Sequence, residues 1–288
     1  MRDIEHLKPP AGDGTVERLF RYPIKSMRGE ERLSVRITPR GIEGDRGWAL
    51  TDVETGRIVS AKYPWKWSRM LSLAARADDG LPDVTITFPN GDEASTLDPG
   101  IDERLSGFLG RAVRLSALPS GEMAIERADP IVAGQFVAEG DREVITRRLN
   151  APVGTFFDYA PLHLITKATL ARLGKLAPQS RFDVARFRAN LLVDLPDQPA
   201  FVENEWARGR MYIGTQVMLE LDLPTPRCAV PTLAQGDLPP DQEIIRTVAR
   251  YNRISIDGAA PSACVGAYAR VLQGGEINAG DTIRLELP

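Results

Sequence analysis

Cys228 sits beside Arg227 in the run Leu223-Pro224-Thr225-Pro226-Arg227-Cys228-Ala229-Val230-Pro231-Thr232. A thiol next to a guanidinium ionises more readily than one in apolar surroundings, and the thiolate is the form that acts as nucleophile or metal ligand. The prolines cannot continue a strand and stiffen the turn. The sulfur is therefore expected at a defined place at the end of a strand, which suits a metal ligand. The competing reading is a small core hydrophobe, the commoner role of a lone cysteine. Cys264, in Ser262-Ala263-Cys264-Val265-Gly266, has small or apolar neighbours and reads as packing.

Three other segments offer groups for an anion. Lys25 and Ser26, in Arg21-Tyr22-Pro23-Ile24-Lys25-Ser26-Met27, follow an apolar strand over Val16 to Phe20. An ammonium and a hydroxyl at a proline-stiffened strand end could hold an anionic group, or the segment is a solvated loop. Asp45 and Arg46 follow two glycines in Gly41-Ile42-Glu43-Gly44-Asp45-Arg46-Gly47. Glycine lets the backbone turn tightly or approach a ligand, and taken alone the run reads better as a tight hairpin with a surface ion pair. Arg186, Arg188 and Asn190 alternate along Arg186-Phe187-Arg188-Ala189-Asn190-Leu191-Leu192-Val193. On a strand they would share one face, either as an anion-binding rail or as the solvent side of an edge.

Other chemistries are excluded by what the chain lacks. It has two histidines, His6 and His163, so a histidine-based zinc site is not expected. Two cysteines cannot make a four-cysteine iron–sulfur site or a disulfide framework, and they fit a reducing compartment. There is no phosphate-binding glycine loop and no dinucleotide fingerprint. With Lys+Arg of 36 against Asp+Glu of 39, the net charge is −3, which gives no general affinity for nucleic acid. The first residues, Met1 to Gly14, lack the apolar stretch of a secretion signal, and no run is long enough to span a bilayer. A cytoplasmic protein without membrane partners is expected.

The groups must be positioned by many short strands. Val84, Ile86 and Phe88 alternate with polar residues, as do Val217, Leu219 and Leu221, and Ile283, Leu285 and Leu287. That period marks half-buried strands. His163 falls in a strand-like run, Pro161 to Ile165. Helical patterns run from Asp98 to Leu109, Thr166 to Leu176, and about Asp241 to Tyr251, with Asp241 as an N-cap. The fold class expected is mainly β with a few helices (α+β), built from barrels. At 288 residues two domains are expected, 1–122 and 123–288, divided in the weakly patterned stretch Pro119 to Pro130.

In this order the segments resemble the MOSC family, the molybdenum-cofactor sulfurase C-terminal domain proteins, of the type with an N-terminal MOSC β-barrel domain. Tyr22-Pro23-Ile24-Lys25-Ser26 and Gly44-Asp45-Arg46 resemble motifs of the N-terminal domain. Phe187-Arg188-Ala189-Asn190, Arg227-Cys228 and the tail from Gly266-Ala267-Tyr268-Ala269 to Gly280-Asp281 resemble the MOSC domain. The resemblance implies a molybdopterin-type molybdenum cofactor. It assigns molybdenum to Cys228, the catalytic position, and the pterin and its phosphate to Lys25, Ser26, Arg46, Arg188 and Asn190. Thr166, before a predicted helix, takes a similar role, since helix N-termini suit phosphate. Arg227 would favour the thiolate and contact the cofactor.

The activity implied is that of the amidoxime-reducing type: reduction of small N-hydroxylated or N-oxide compounds. Some bacterial relatives have a further ferredoxin-like domain. This chain ends at Pro288 with no cysteines to spare, so a separate electron-donor protein is expected. Two other functions use the same residues. One is a sulfur carrier with a persulfide on Cys228. The other is a non-catalytic module that stores or delivers the cofactor.

Overall fold

The computed structural model describes residues 13–80, 82–117, 123–132, 135–149, 151–152 and 154–288. Its largest element is a closed barrel of seven strands. Around the barrel they run Leu162–Thr166, Leu191–Asp194, Gly14–Arg21, Thr282–Glu286, Arg210–Ile213, Val217–Pro226 and Ser262–Gln273, which pairs back onto Leu162–Thr166. Alternation does what period two requires: Val217, Leu219 and Leu221 turn inward and meet Leu164, Leu191, Val193, Met211, Ala267 and Ala269 in one core.

Neighbouring strands are antiparallel except Leu162–Thr166 with Leu191–Asp194, which are parallel. A parallel pair needs a crossover. Here the crossover contains the helices Lys167–Leu176 and Val184–Phe187. The first strand, Gly14–Arg21, lies far from its barrel neighbours in sequence. It pairs Leu19 with Leu191 on one side and Thr15 with Thr282 on the other.

The rest of the N-terminal half has its own core. Ile24, Met27, Leu50, Trp67, Met70, Leu73, Ile86 and Leu105 pack together between the sheet Ala74–Ala77, Val84–Thr87, Glu93–Ser95 and the helix Ile101–Leu109. That helix stops at Gly110, whose φ of 71° is the left-handed conformation that ends helices and that glycine adopts without strain.

Several local expectations shift. The predicted helix from Asp98 begins at Ile101, because the Asp98 carboxylate accepts the Ser95 N–H in a turn. Thr166 is the cap of Lys167–Leu176 rather than its first residue, and the third helix begins at Glu243, with Asp241 accepting the Glu243 N–H. The strand predicted over Arg186–Asn190 is a correction. Asp183 caps a short helix, Val184–Phe187, Arg188 ends it in the left-handed region, and the strand starts only at Leu191. Arg186 is consequently buried away from Arg188, donating to the carbonyls of Arg181, Pro231 and Pro239. The strand before Cys228 runs through Pro224 to Pro226, and the pairing register shifts at both prolines, where a missing N–H is tolerated. The expected domain division at residue 122 lies outside the described residues, as does His6.

Candidate functional site

Three places in the fold converge on one cleft: the turns after the first barrel strand, the end of the crossover, and the end of Val217–Pro226. Its walls include Lys25, Ser26, Arg46, Arg188, Asn190, Arg227 and Cys228. It opens to solvent and has a free volume of about 100 Å³.

Backbone hydrogen bonds fix the first turn. Lys25 N–H donates to the Trp48 carbonyl at 2.8 Å and Trp48 N–H to Pro23 at 3.1 Å. Arg46 is clamped likewise, its N–H on the Tyr22 carbonyl and its own carbonyl accepting Phe156 N–H. Among the described residues six that are not glycine have positive φ, and three of them, Ser26 (66°), Arg46 (48°) and Arg188 (55°), line this cleft. Such backbone costs about 1–3 kcal/mol per residue and persists where surrounding structure enforces it.

One side of the cleft holds two guanidiniums over a single ring. Arg46 and Arg188 each lie 4.4 Å from the centroid of Tyr22. The buried Asp45 carboxylate pairs with Arg46, accepts Tyr22 N–H at 2.6 Å and takes a 3.0 Å bond from Asn190 Nδ2. Asn190 also accepts His163 N–H at 3.2 Å. Its side chain is thus used in holding Asp45 and the strand of His163. Burial, and then Arg46, lower the Arg188 pKa to about 10, while burial lifts the Tyr22 phenol to about 12.

The opposite side is built on Asp158. Its carboxylate bridges Lys25 at 2.7 Å and Lys62 at 2.8 Å. Burial alone would raise the Asp158 pKa, but Lys25 and then Lys62 outweigh it and hold the carboxyl well below its usual range. Lys25 is buried, which lowers its pKa, and it also donates to the Phe156 carbonyl at 2.7 Å. Ser26 Oγ accepts Ala61 N–H at 3.1 Å, and Ala61 packs with Leu71 and Val230 around Cys228. The sulfur therefore sits where the N-terminal core meets the barrel.

Arg227 is held by its backbone on the Ala263 carbonyl and by Nη2 on the Phe187 carbonyl at 2.7 Å. His163 Nε2 lies 3.1 Å from the Val265 carbonyl and 3.5 Å from Arg227 Nη1. Burial and then Arg227 push the imidazole well below its ordinary pKa, which favours the neutral ring. Arg227 Nε and the Thr225 hydroxyl are buried with no partner at all. Cys264 packs fully buried, its thiol lifted to about 11 by burial.

Thr166 is not in the cleft. It is fully buried, caps its helix by accepting Thr169 N–H at 3.1 Å, and donates to Glu203 at 2.9 Å. Its hydroxyl has no capacity left for a phosphate. Conversely Lys62, Asp158 and Tyr159 line the cleft without having been singled out in the sequence, and Tyr268 of the tail motif lines it too.

The MOSC domain model matches residues 152–284 and the MOSC N-terminal β-barrel domain model matches residues 13–98. Among solved structures, the YUAD protein from Bacillus subtilis is 11% identical, with 96% of each chain covered and a TM-score of 0.43. YiiM from Geobacillus stearothermophilus is 17% identical over 57% of this chain and 73% of its own, with a TM-score of 0.31. Comparison with curated proteins finds no match. No helix among the described residues is long and apolar enough to cross a membrane. With both matches in the expected order along the chain, this protein belongs to the MOSC family, in the form that has an N-terminal MOSC β-barrel domain.

Proposed function

We propose that this chain is a molybdenum-cofactor-dependent oxidoreductase that reduces N-hydroxylated or N-oxide compounds with electrons from a separate donor protein. The observation that supports it most is the meeting of Cys228 with Lys25, Ser26, Arg46, Arg188 and Arg227 in one cleft. A phosphorylated pterin carrying a soft metal needs cationic donors together with a thiolate.

The residues present fit such a group. Arg227 Nε and the Thr225 hydroxyl are buried polar atoms without partners, and a bound acceptor would satisfy the arginine. Among the described residues no group of three or more His, Cys, Asp or Glu could hold a metal ion by itself. A metal already chelated by its pterin asks for only one protein ligand, which Cys228 would supply.

In this reading Arg46, Arg188 and the Ser26 hydroxyl hold the phosphate, and Lys25 and Arg227 hold the pterin. Asn190 acts through Asp45 and His163, keeping Arg46 and the neighbouring strand in place. Bound there, the cofactor supplies two-electron oxygen-atom chemistry. Phe157 and Phe187 in the walls limit water around it.

The test is molybdenum by elemental analysis and pterin fluorescence after oxidative release, on protein made in a cofactor-competent host. Near-stoichiometric metal and pterin, with the metal lost in Cys228→Ala, is the expected result, followed by reduction of an N-oxygenated compound with an artificial electron donor. Absence of both, in a host that loads another molybdoenzyme, would sink the proposal. A reductant-labile sulfur on Cys228, seen by mass, would then point to a persulfide carrier.

A further inference from the structure

Lys62 has no part in the cofactor reading above, yet its surroundings are built with care. Its carbonyl accepts Ala128 N–H at 2.9 Å, and Tyr63 N–H donates to Ser60 at 3.0 Å. The preceding residue, Ala61, is tied to Ser26 and packs on Cys228. The loop that presents Lys62 is thus fixed at three points beside the sulfur.

The two lysines on Asp158 differ in what they have left to give. An ammonium has three donors. Lys25 uses two, on Asp158 and the Phe156 carbonyl, and its side chain is 6% exposed. Among the described residues Lys62 has one ion-pair partner, Asp158 at 2.8 Å, and its side chain is 16% exposed on the cleft wall. Two of its N–H groups have no acceptor among the described residues, on a side chain that lines the cleft. Burial works to lower the Lys62 pKa, but Asp158 outweighs it and Cys228 adds to the effect, so the charge is secure at neutral pH. Arg127, paired with Asp129, and the phenol of Tyr268 also feel the Cys228 sulfur.

We infer that Lys62 is a substrate-binding residue: its ammonium, aimed by Asp158, receives the anionic or strongly accepting oxygen of a compound arriving at Cys228. The substrate class that follows is small molecules with an exposed N–O⁻ or comparable oxyanion. This rests on the reading that substrate is turned over beside Cys228.

The experiment uses the full chain from a host that makes no molybdopterin, so that the sulfur is free. Cys228 alkylation is timed with iodoacetate and with iodoacetamide, and peptide mass mapping separates it from Cys264. The ratio of the two rates cancels any change in thiol nucleophilicity and reports the local charge. Lys62→Met is expected to lower the iodoacetate-to-iodoacetamide ratio about fivefold, the effect of one unit charge at ~4 Å in water. Lys62→Arg should preserve the ratio and Asp158→Asn should raise it. An equal ratio in wild type and Lys62→Met, or a Cys228 inert to both reagents, overturns the inference. Because no cofactor enters this measurement, its outcome for Lys62 is read separately from whether the wild-type chain loads molybdenum, which tests the reductase reading.

Discussion

Arg46 donates from Nη2 to the backbone carbonyl of Arg188 at 3.1 Å, so two cations of the cleft are tied to each other. Like charges this close repel, and two devices offset the repulsion. Asp45 neutralises one side, and the face of Tyr22 serves both guanidiniums.

Tyr22 should therefore matter beyond its hydrogen bond. Tyr22→Phe loses only the phenol donor to the Ala189 carbonyl and is expected to cost about 1 kcal/mol. Tyr22→Leu also loses the ring and is expected to cost roughly 2–4 kcal/mol. Urea midpoints of the two variants measure the difference. Equal midpoints would show that the ring does not hold the guanidiniums.

Gly266 has φ of 76°, and a Cβ there would run into the Leu164 carbonyl and lie 2.6 Å from His163 Nε2. Gly280, with φ of 93°, has open space around the same position. Gly280→Ala is expected to cost about 1–2 kcal/mol from backbone strain alone, and Gly266→Ala more than about 3 kcal/mol. Thermal unfolding of the pair separates strain from collision.

Asp158 is held below its ordinary pKa in the folded protein by its lysines, against the opposing effect of burial. A carboxylate shifted this way stabilises fully above its unfolded value of about 4, and the contribution drains away as pH falls below it. Asp158→Asn should therefore cost about 1–3 kcal/mol at pH 7 and progressively less as the pH is taken below about 4. A urea-midpoint gap that stays constant from pH 7 to pH 3 would contradict the pairing.

Thr166→Val removes a helix cap and a donor to buried Glu203. It should cost about 1–3 kcal/mol while leaving the pterin and metal content of the purified protein unchanged. Loss of cofactor in a variant that remains folded would return Thr166 to the site.

The barrel strands were legible because alternation of apolar residues is a local property, and Val217–Leu221 or Ile283–Leu287 display it without help from the fold. Cys228 and its cations were legible for a different reason: each stands in a short run whose neighbours restrict the backbone. Lys62 and Asp158 give no such sign. Ser60-Ala61-Lys62-Tyr63 reads as any solvated turn, and its meaning arises only when Asp158, nearly a hundred positions away, is folded against it. The strand expected at Arg186–Asn190 failed on a competition between signals. Alternating arginines suggested a strand face, whereas Asp183 starts a helix and Arg188 reverses the chain. Thr166 was placed before the right helix, but its hydroxyl is spent on the helix itself.

The seating of Gly14–Arg21 between Leu191–Asp194 and Thr282–Glu286 has a consequence for how the molecule is made. During synthesis the first strand emerges long before either of its neighbours. The ring cannot be sealed until Thr282–Glu286 has been made, so Gly14–Arg21 waits for its second neighbour. A piece starting after the first strand would keep two open sheet edges, which invite pairing with other copies. Pairing over so long a stretch of sequence is expected to make closure of the ring slow.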